Sequence, residues 1–249
     1  MVRGVAVAGM ALALLAGGNA RAGEPLMLLP GQADEAGLRR LVFSGVEASF
    51  GNVSFHFGER RAAGGRLDRD GWLIELCGAS GAYAYEPGAR LPTLVIGDVE
   101  LSTVSAGFQK IGTRSGGAVF AGPTFERHQL HPDDAGNPVR GAKFGMRVAA
   151  EGWMRPLPRL IVAASASAST VHRGWRVEAR ALWQAGRIGI GPEATAAGNR
   201  EYTMMRAGLR VDGIRLARSD WSLSGGILLK PDSDEPARGY GTLGWMRRF

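Results

Sequence analysis

From residue 41 onward the chain is built of short segments in which apolar and polar residues alternate, the period of β-strands with one greasy face. Between 142 and 152, Ala142, Phe144, Met146, Val148 and Ala150 share one face, and Lys143, Gly145, Arg147, Ala149 and Glu151 share the other. Between 175 and 183, Trp175, Val177, Ala179, Ala181 and Trp183 oppose Arg176, Glu178, Arg180 and Leu182. Between 204 and 212, Met205, Ala207, Leu209 and Val211 oppose Met204, Arg206, Gly208, Arg210 and Asp212. No helical period competes. Turn residues recur at the spacing of an all-β fold and predict about 12 strands. They fall near 41–49, 52–60, 71–81, 97–110, 116–127, 139–152, 159–170, 174–183, 187–195, 202–215, 219–229 and 239–249.

Alternation is shared with soluble sandwiches, so the choice of fold rests on what alternates. The polar face carries interleaved Arg and Glu, which suits a water-containing or salt-bridged lumen. Trp72, Trp153, Trp175, Trp183, Trp221 and Trp245 fall near strand ends, where interfacial girdles belong. The last alternating segment, with Leu243 and Trp245, ends on Phe249, the terminal aromatic expected of a barrel assembled into an outer membrane. The expected fold is therefore an antiparallel up-and-down outer-membrane β-barrel, monomeric, with lipid outside and an Arg/Glu-rich interior. With both termini periplasmic, the even-numbered connections should be short. Those around Gly112, Pro156, Gly186 and Arg218 are, whereas Arg61 to Asp70 is long on that side.

The first residues bear on the compartment. Met1-Val-Arg3, the apolar run Val5 to Gly17 and the small-x-small site Ala20-Arg21-Ala22 predict a secretory signal peptide over 1–22, cleaved after Ala22 and exported by the Sec route. Residues 23–40, with Pro25, Pro30 and Gly31, read as a lead-in, leaving 41–249 as one barrel domain. Nothing after Ala22 is apolar for the roughly 20 residues a spanning helix needs. Removing the signal takes Arg3 and Arg21 from a formal charge of +7. The remaining mild excess is ordinary solubility, although it also suits anionic headgroups. The single Cys77 excludes an internal disulfide, so stability must come from packing and closure.

Little points to catalysis. The chain has four histidines, at 56, 128, 131 and 172, and no Gly-x-Ser-x-Gly elbow. Ser169 and His172 sit in what reads as a hairpin tip. His128, His131, Asp133 and Asp134 could hold a cation or a sugar hydroxyl, but their setting before Asn137-Pro138 favours a turn-forming surface loop over a metal site. No catalytic, cofactor or metal residue is assigned, and no phosphate loop or nucleic-acid motif is present. The polar residues expected in the lumen or loops are Arg147, Glu151, Arg176, Glu178, Arg180, Glu193, Arg206, Arg210, Asp133 and Asp134. Glu193 is expected to pair with Arg206 or Arg210 and pin its loop over the barrel mouth.

An ordered set of short motifs adds a family. Phe43-Ser44-Gly45-Val46-Glu47, Pro132-Asp133-Asp134, Arg140-Gly141 with Gly145, and Gly191-Pro192-Glu193 come first. Gly198-Asn199-Arg200-Glu201, Arg206 with Gly208, Gly225-Gly226 and Tyr240-Gly241 through Phe249 follow. Taken together, 41–249 resembles the cellulose biosynthesis protein BcsS family, with 86–100 matching least. The resemblance implies a link to export or surface handling of cellulose, a β-1,4-glucan, and carries no catalytic residue. Its implied partners are outer-membrane lipid and a cellulose chain or other synthesis components. Two other readings stay open: a generic porin-like channel, and a periplasmic β-protein that binds glucan or a partner.

Overall fold

The computed structural model describes residues 37–87, 93–229, 231 and 236–249. The signal peptide and most of the lead-in expected from the sequence lie outside these residues. The chain forms twelve strands: β1 (Arg40–Ser49), β2 (Asn52–Ala62), β3 (Gly71–Tyr85), β4 (Val95–Ile111), β5 (Ser115–His131), β6 (Gly141–Leu157), β7 (Leu160–Ser169), β8 (Trp175–Ala185), β9 (Ile188–Gly198), β10 (Thr203–Leu216), β11 (Ser219–Leu229) and β12 (Arg238–Arg248). Each pairs antiparallel with its neighbours in the chain, and β1 pairs with β12, from Leu41 opposite Arg248 to Ser49 opposite Tyr240. The sheet is a closed barrel without an edge, which is what hydrocarbon requires, because an unpaired backbone N–H or C=O there costs several kcal/mol. No helix among the described residues is long and apolar enough to cross a membrane.

The greasy faces point outward. Phe144 is 83% exposed, and Val148, Val177, Leu209, Ile74 and Val119 are exposed around the circumference. Their alternation partners Arg147, Arg176, Arg206 and Arg210 are buried. A soluble protein rarely shows so continuous an apolar surface. Aromatics rim the belt at both ends. Trp72, packed edge-on against Phe108, and Trp183 are exposed towards the end that carries the termini, while Trp175 and the Phe125–Phe144 pair lie towards the other. Trp153 departs from the expected girdle. It faces inward and is buried with Ile161, Ala163 and Leu182, because odd positions of β6 point to the lumen.

Strands β3, β4 and β5 run farther at the end away from the termini than the hydrophobic period suggests, to Tyr85, from Val95 and to His131. The outward positions there are polar: Asp98, Glu100, Gln129 and His131 are exposed, and Arg127 lies 3.6 Å from Glu100. The ladder continues above the apolar belt, where an apolar-outward pattern no longer reports it. At the other end β6 runs on to Leu157, so Pro156 is inside the strand, at an irregularity of the β6–β7 register. Proline tolerates such a place because it has no N–H to give the ladder.

The expectation of short connections at the terminus-bearing end fails at 63–70, and the structure shows why. That segment folds across the end of the barrel. Leu67 donates its N–H to Leu38 O at 2.8 Å, and Gln109 Nε2 donates to the carbonyls of Leu67 and Arg69. Ile111 N donates to Asp70 Oδ1. Leu38, Leu41, Leu67, Leu73, Ala118, Phe120 and Met246 then form one buried apolar cluster. This is a floor: Leu67 is turned inward and its N–H and carbonyl are both hydrogen-bonded.

Candidate functional site in the lumen

Above the floor the lumen is filled by charge. Arg60, fully buried on β2, is stacked 4.6 Å above the Phe120 ring. It donates to Glu75 Oε2 at 2.6 Å and to Glu151 Oε1 at 2.5 Å. Farther round, Arg176 and Arg180 lie 3.3 and 3.7 Å from the Glu178 carboxylate. Arg210 bonds Asp212 at 2.6 Å and reaches Glu193 at 3.4 Å. The Tyr240 hydroxyl donates to the other Glu193 oxygen. Arg206 donates to Glu47 at 2.6 Å and to Thr195 Oγ1, with its guanidinium 5.1 Å from the Tyr240 ring centroid. Most of these pairs lie within one strand or between neighbours, while Arg60–Glu151 (β2 to β6) and Arg206–Glu47 (β10 to β1) reach between strands that are not paired. In so buried a setting each pair repays little beyond its own desolvation, but removing one member leaves an uncompensated charge.

Arg147, Arg176, Glu178, Arg180, Glu193, Arg206 and Arg210 are buried, and Glu151 pairs with the buried Arg60; Lys143, on the polar face of β6, is exposed. Glu193 pairs with Arg210 and Tyr240, not with Arg206, and it sits in the middle of β9, well away from a mouth loop. Asp133 and Asp134 separate. Asp133 is exposed and meets Arg140 at 3.2 Å, whereas Asp134 is buried, accepts the Tyr85 hydroxyl at 3.0 Å and accepts Gly136 N. His128 and His131 separate too, as neighbouring parities of β5 require: His131 faces out, His128 faces in at 3% exposure. Ser169 Oγ accepts the Val171 N–H, a turn bond. Sequence reasoning did not assign Glu47, Arg60, Glu75 or Glu126 to the lumen, and had Asp212 only on the polar face of its strand. The available signal was an isolated charge within an apolar strand, as at Glu75 in Leu73-Ile74-Glu75-Leu76, which marks an inward position.

At the mouth opposite the floor, charge pairing gives way to space. A cavity of about 80 Å³ is lined in part by Thr124, Glu126, His128, Arg147, Arg176 and Tyr202. Arg147 is 8% exposed, and unlike the arginines below it this side chain makes no hydrogen bond or ion pair with a described residue. The mouth is roofed by the β7–β8 connection, whose short 3-10 turn Val171–Arg173 is buried at Val171 and His172. Its grip on β6 is specific. Thr170 N donates to Met146 O, and Met146 N donates to Thr170 Oγ1. Gly145 has no side chain where a Cβ would lie 2.4 Å from Thr170 Oγ1 and 2.7 Å from Val171 Cγ2. His172 and Arg173 take up left-handed backbone, φ 49° and 53°, a region that histidine enters more readily than most residues. The result is that His172 is turned into the barrel. Burial pushes its imidazole below its ordinary pKa, with Glu126 pulling the other way.

A closed antiparallel barrel with an apolar belt, aromatic rims and a charged, packed interior defines a membrane-spanning β-barrel with a filled lumen. Residues 41–249 match the model of the cellulose biosynthesis protein BcsS family, and the chain belongs to that family. No curated protein sequence matches it. Among solved structures, the barrel is similar to a TodX monoaromatic hydrocarbon channel carrying a deletion, with a TM-score of 0.53, 8% identity and coverage of 86% of this chain and 91% of that one. It is also similar to the KdgM porin in complex with disordered oligogalacturonate, with a TM-score of 0.46, 10% identity and coverage of 84% and 99%. The outer membrane channel DcaP of Acinetobacter baumannii gives a TM-score of 0.40, 10% identity and coverage of 96% and 100%.

Proposed function

We propose that this barrel is a non-catalytic outer-membrane component of cellulose biosynthesis that holds or organises β-1,4-glucan at the cell surface and does not conduct it. The observation that carries this reading is the asymmetry of the lumen. A floor of buried leucines and a layer of ion pairs fill one part, and a polar cavity lined by Arg147, which pairs with no carboxylate among the described residues, occupies the opposite mouth. Family membership supplies the polysaccharide, and the apolar belt supplies the membrane. Arg147, Thr124 and the Tyr202 ring offer the hydrogen bonds and flat face that a sugar chain end can use. The barrel closes within one chain; in this reading it acts as a monomer and reaches its membrane by Sec-dependent export through the 1–22 signal.

A cellulose-secreting strain lacking the gene is the test. We expect cellulose synthesis to continue while the amount retained on cells and the fibre architecture change, with Arg147→Ala reproducing part of the defect. Unchanged secretion, retention and architecture would remove the proposal. The porin-like alternative is separated by planar-bilayer recording, where the wild-type barrel should show no steady conductance. Alanine at Ser169 and His131 should leave the cellulose phenotype of a folded barrel unchanged; loss of it on substituting Ser169 would favour an enzyme.

A further inference from the structure

We propose that Glu126, His128 and His172 form a binding site for a divalent transition metal of the zinc class just inside the mouth of the barrel. One ligand atom from each of the three lies within 4.8 Å of the other two. Two come from inward positions of β5 that are two residues apart on one wall. The third arrives from the β7–β8 connection, so the site joins a roof loop to the barrel wall.

Three features distinguish this group from a packed pair of histidines. First, His172 is 3% exposed, yet neither ring nitrogen makes a hydrogen bond of normal geometry with a described residue, although the Pro138 backbone lies close to the ring. A neutral imidazole carries one donor and one acceptor, and burying both unmet is disfavoured. Its edge-on contact with the His128 ring, 5.3 Å between centroids at 89°, satisfies neither. Second, the orientation of the His128 ring is set from behind. The Tyr83 hydroxyl lies 3.0 Å from His128 Nδ1, leaving Nε2 turned towards Glu126 Oε1 at 2.6 Å. An outer partner on the far ring nitrogen is the arrangement that orients histidines bound to metal. Tyr83 can lie there because position 97 is glycine; a Cβ would meet its ring at 2.3 Å. Third, the backbone of His172 is held left-handed and clamped to β6 through Thr170 and Gly145, so the side chain is aimed inward by design of the loop.

The donor set selects the ion. Two imidazoles and one carboxylate suit zinc and its neighbours, whereas magnesium and calcium want oxygen ligands throughout. Three protein ligands around zinc at about 2.0–2.2 Å leave a fourth position. Glu126 and His128 both line the cavity, so that position opens towards Arg147 and can take water or a ligand oxygen. Metal binding is a separate property from cellulose handling, and either can hold without the other.

The test uses the full-length barrel extracted in detergent, stripped with a chelator and titrated with zinc chloride by calorimetry, with heat-modifiable gel mobility confirming the fold of every variant. We expect one zinc per barrel and no magnesium binding. His172→Ala and His128→Ala should each weaken binding by more than about 100-fold, and Tyr83→Phe, which removes only the positioning hydroxyl, by about 10-fold. His131→Ala, on the outer surface, should bind as wild type. Cobalt should give the intense visible bands of a low-coordinate site in wild type and lose them in His172→Asn, a second variant that keeps a polar side chain. No zinc binding by wild type, or equal binding by wild type and both His172 variants, overturns the proposal.

Discussion

The two ends of this lumen solve the same problem in opposite ways. At the terminus-bearing end, eight connecting residues, 63–70, could have hung in water, but they fold inward, bury Leu67 and hand their backbone groups to Gln109 and Leu38. The arginine above them, Arg60, is shared by two carboxylates. At the mouth, Arg147 is as deeply placed as its counterparts but pairs with no carboxylate among the described residues, neither His172 nitrogen makes a hydrogen bond of normal geometry with them, and a cavity remains. The floor closes with apolar packing and shared charges, although the buried Nε atoms of Arg40, Arg155 and Arg248 make no hydrogen bond with a described residue there; the mouth keeps a cavity with Arg147 and His172 beside it. Stability is therefore concentrated at one end and binding capacity at the other, a division that substitutions can test directly.

The largest effect should come from the charged layer. Arg60→Ala leaves Glu75 and Glu151 buried without a counter-charge and should destabilise the barrel by about 3–5 kcal/mol, measured as the urea midpoint in lipid vesicles followed by tryptophan fluorescence. Next comes the floor. Leu67→Ala opens a space in a cluster that is fully buried, and should cost about 2–5 kcal/mol. If the floor is what seals this end, deleting 64–69 in a barrel that still folds should also raise single-molecule conductance. An unchanged, silent bilayer would assign the seal to the ion pairs alone.

At the mouth the same kinds of change should cost less. Gly145→Val drives a side chain into Thr170 and Val171 and should cost about 1–3 kcal/mol as overpacking, with protease sensitivity rising first in the β7–β8 connection. Arg147→Ala removes no ion pair and should move stability by less than about 0.5 kcal/mol, while lowering cellulose retention on cells. An Arg147 variant as unstable as Arg60→Ala would erase the difference between the ends.

The strand ladder was legible because its driving force is local: in strands such as β6, β8 and β10 the residue type changes from one position to the next, and the barrel assigns one parity to lipid and the other to the lumen. Trp153 shows where residue type misleads. A tryptophan near a strand end suggests a girdle, but parity overrides chemistry and puts it with Leu182 inside. The floor was illegible for a different reason. Residues 63–70 have no period, and what they bury is supplied by Leu38, Phe120 and Met246, remote in sequence. The histidine group lay hidden in the same way. His128 and His131 are neighbours in the chain and back to back in the fold, while the true neighbour of His128, His172, lies beyond two strands. Its inward aim depends on a glycine at 145 that has meaning only once β6 and the β7–β8 connection are packed together.

The smallest effect should come from the one charged pair in the floor segment itself. Arg66 donates two hydrogen bonds to Asp68, 2.8 and 2.6 Å, and this holds the Asp68 carboxyl below its ordinary value, with partial burial opposing. A depressed carboxyl contributes stability that is fully present above its ordinary value of 3.8 and is lost as the pH falls through the lower folded value. Both side chains are partly exposed, 30% and 21%, so solvent screens the pair and its share is small. Asp68→Asn should therefore leave the neutral-pH unfolding midpoint nearly unchanged and flatten only the acid limb below 3.8. If it instead loosens the floor at neutral pH as strongly as Leu67→Ala does, then the segment is held by its charges, and the contrast between an apolar end and a polar one is drawn in the wrong place.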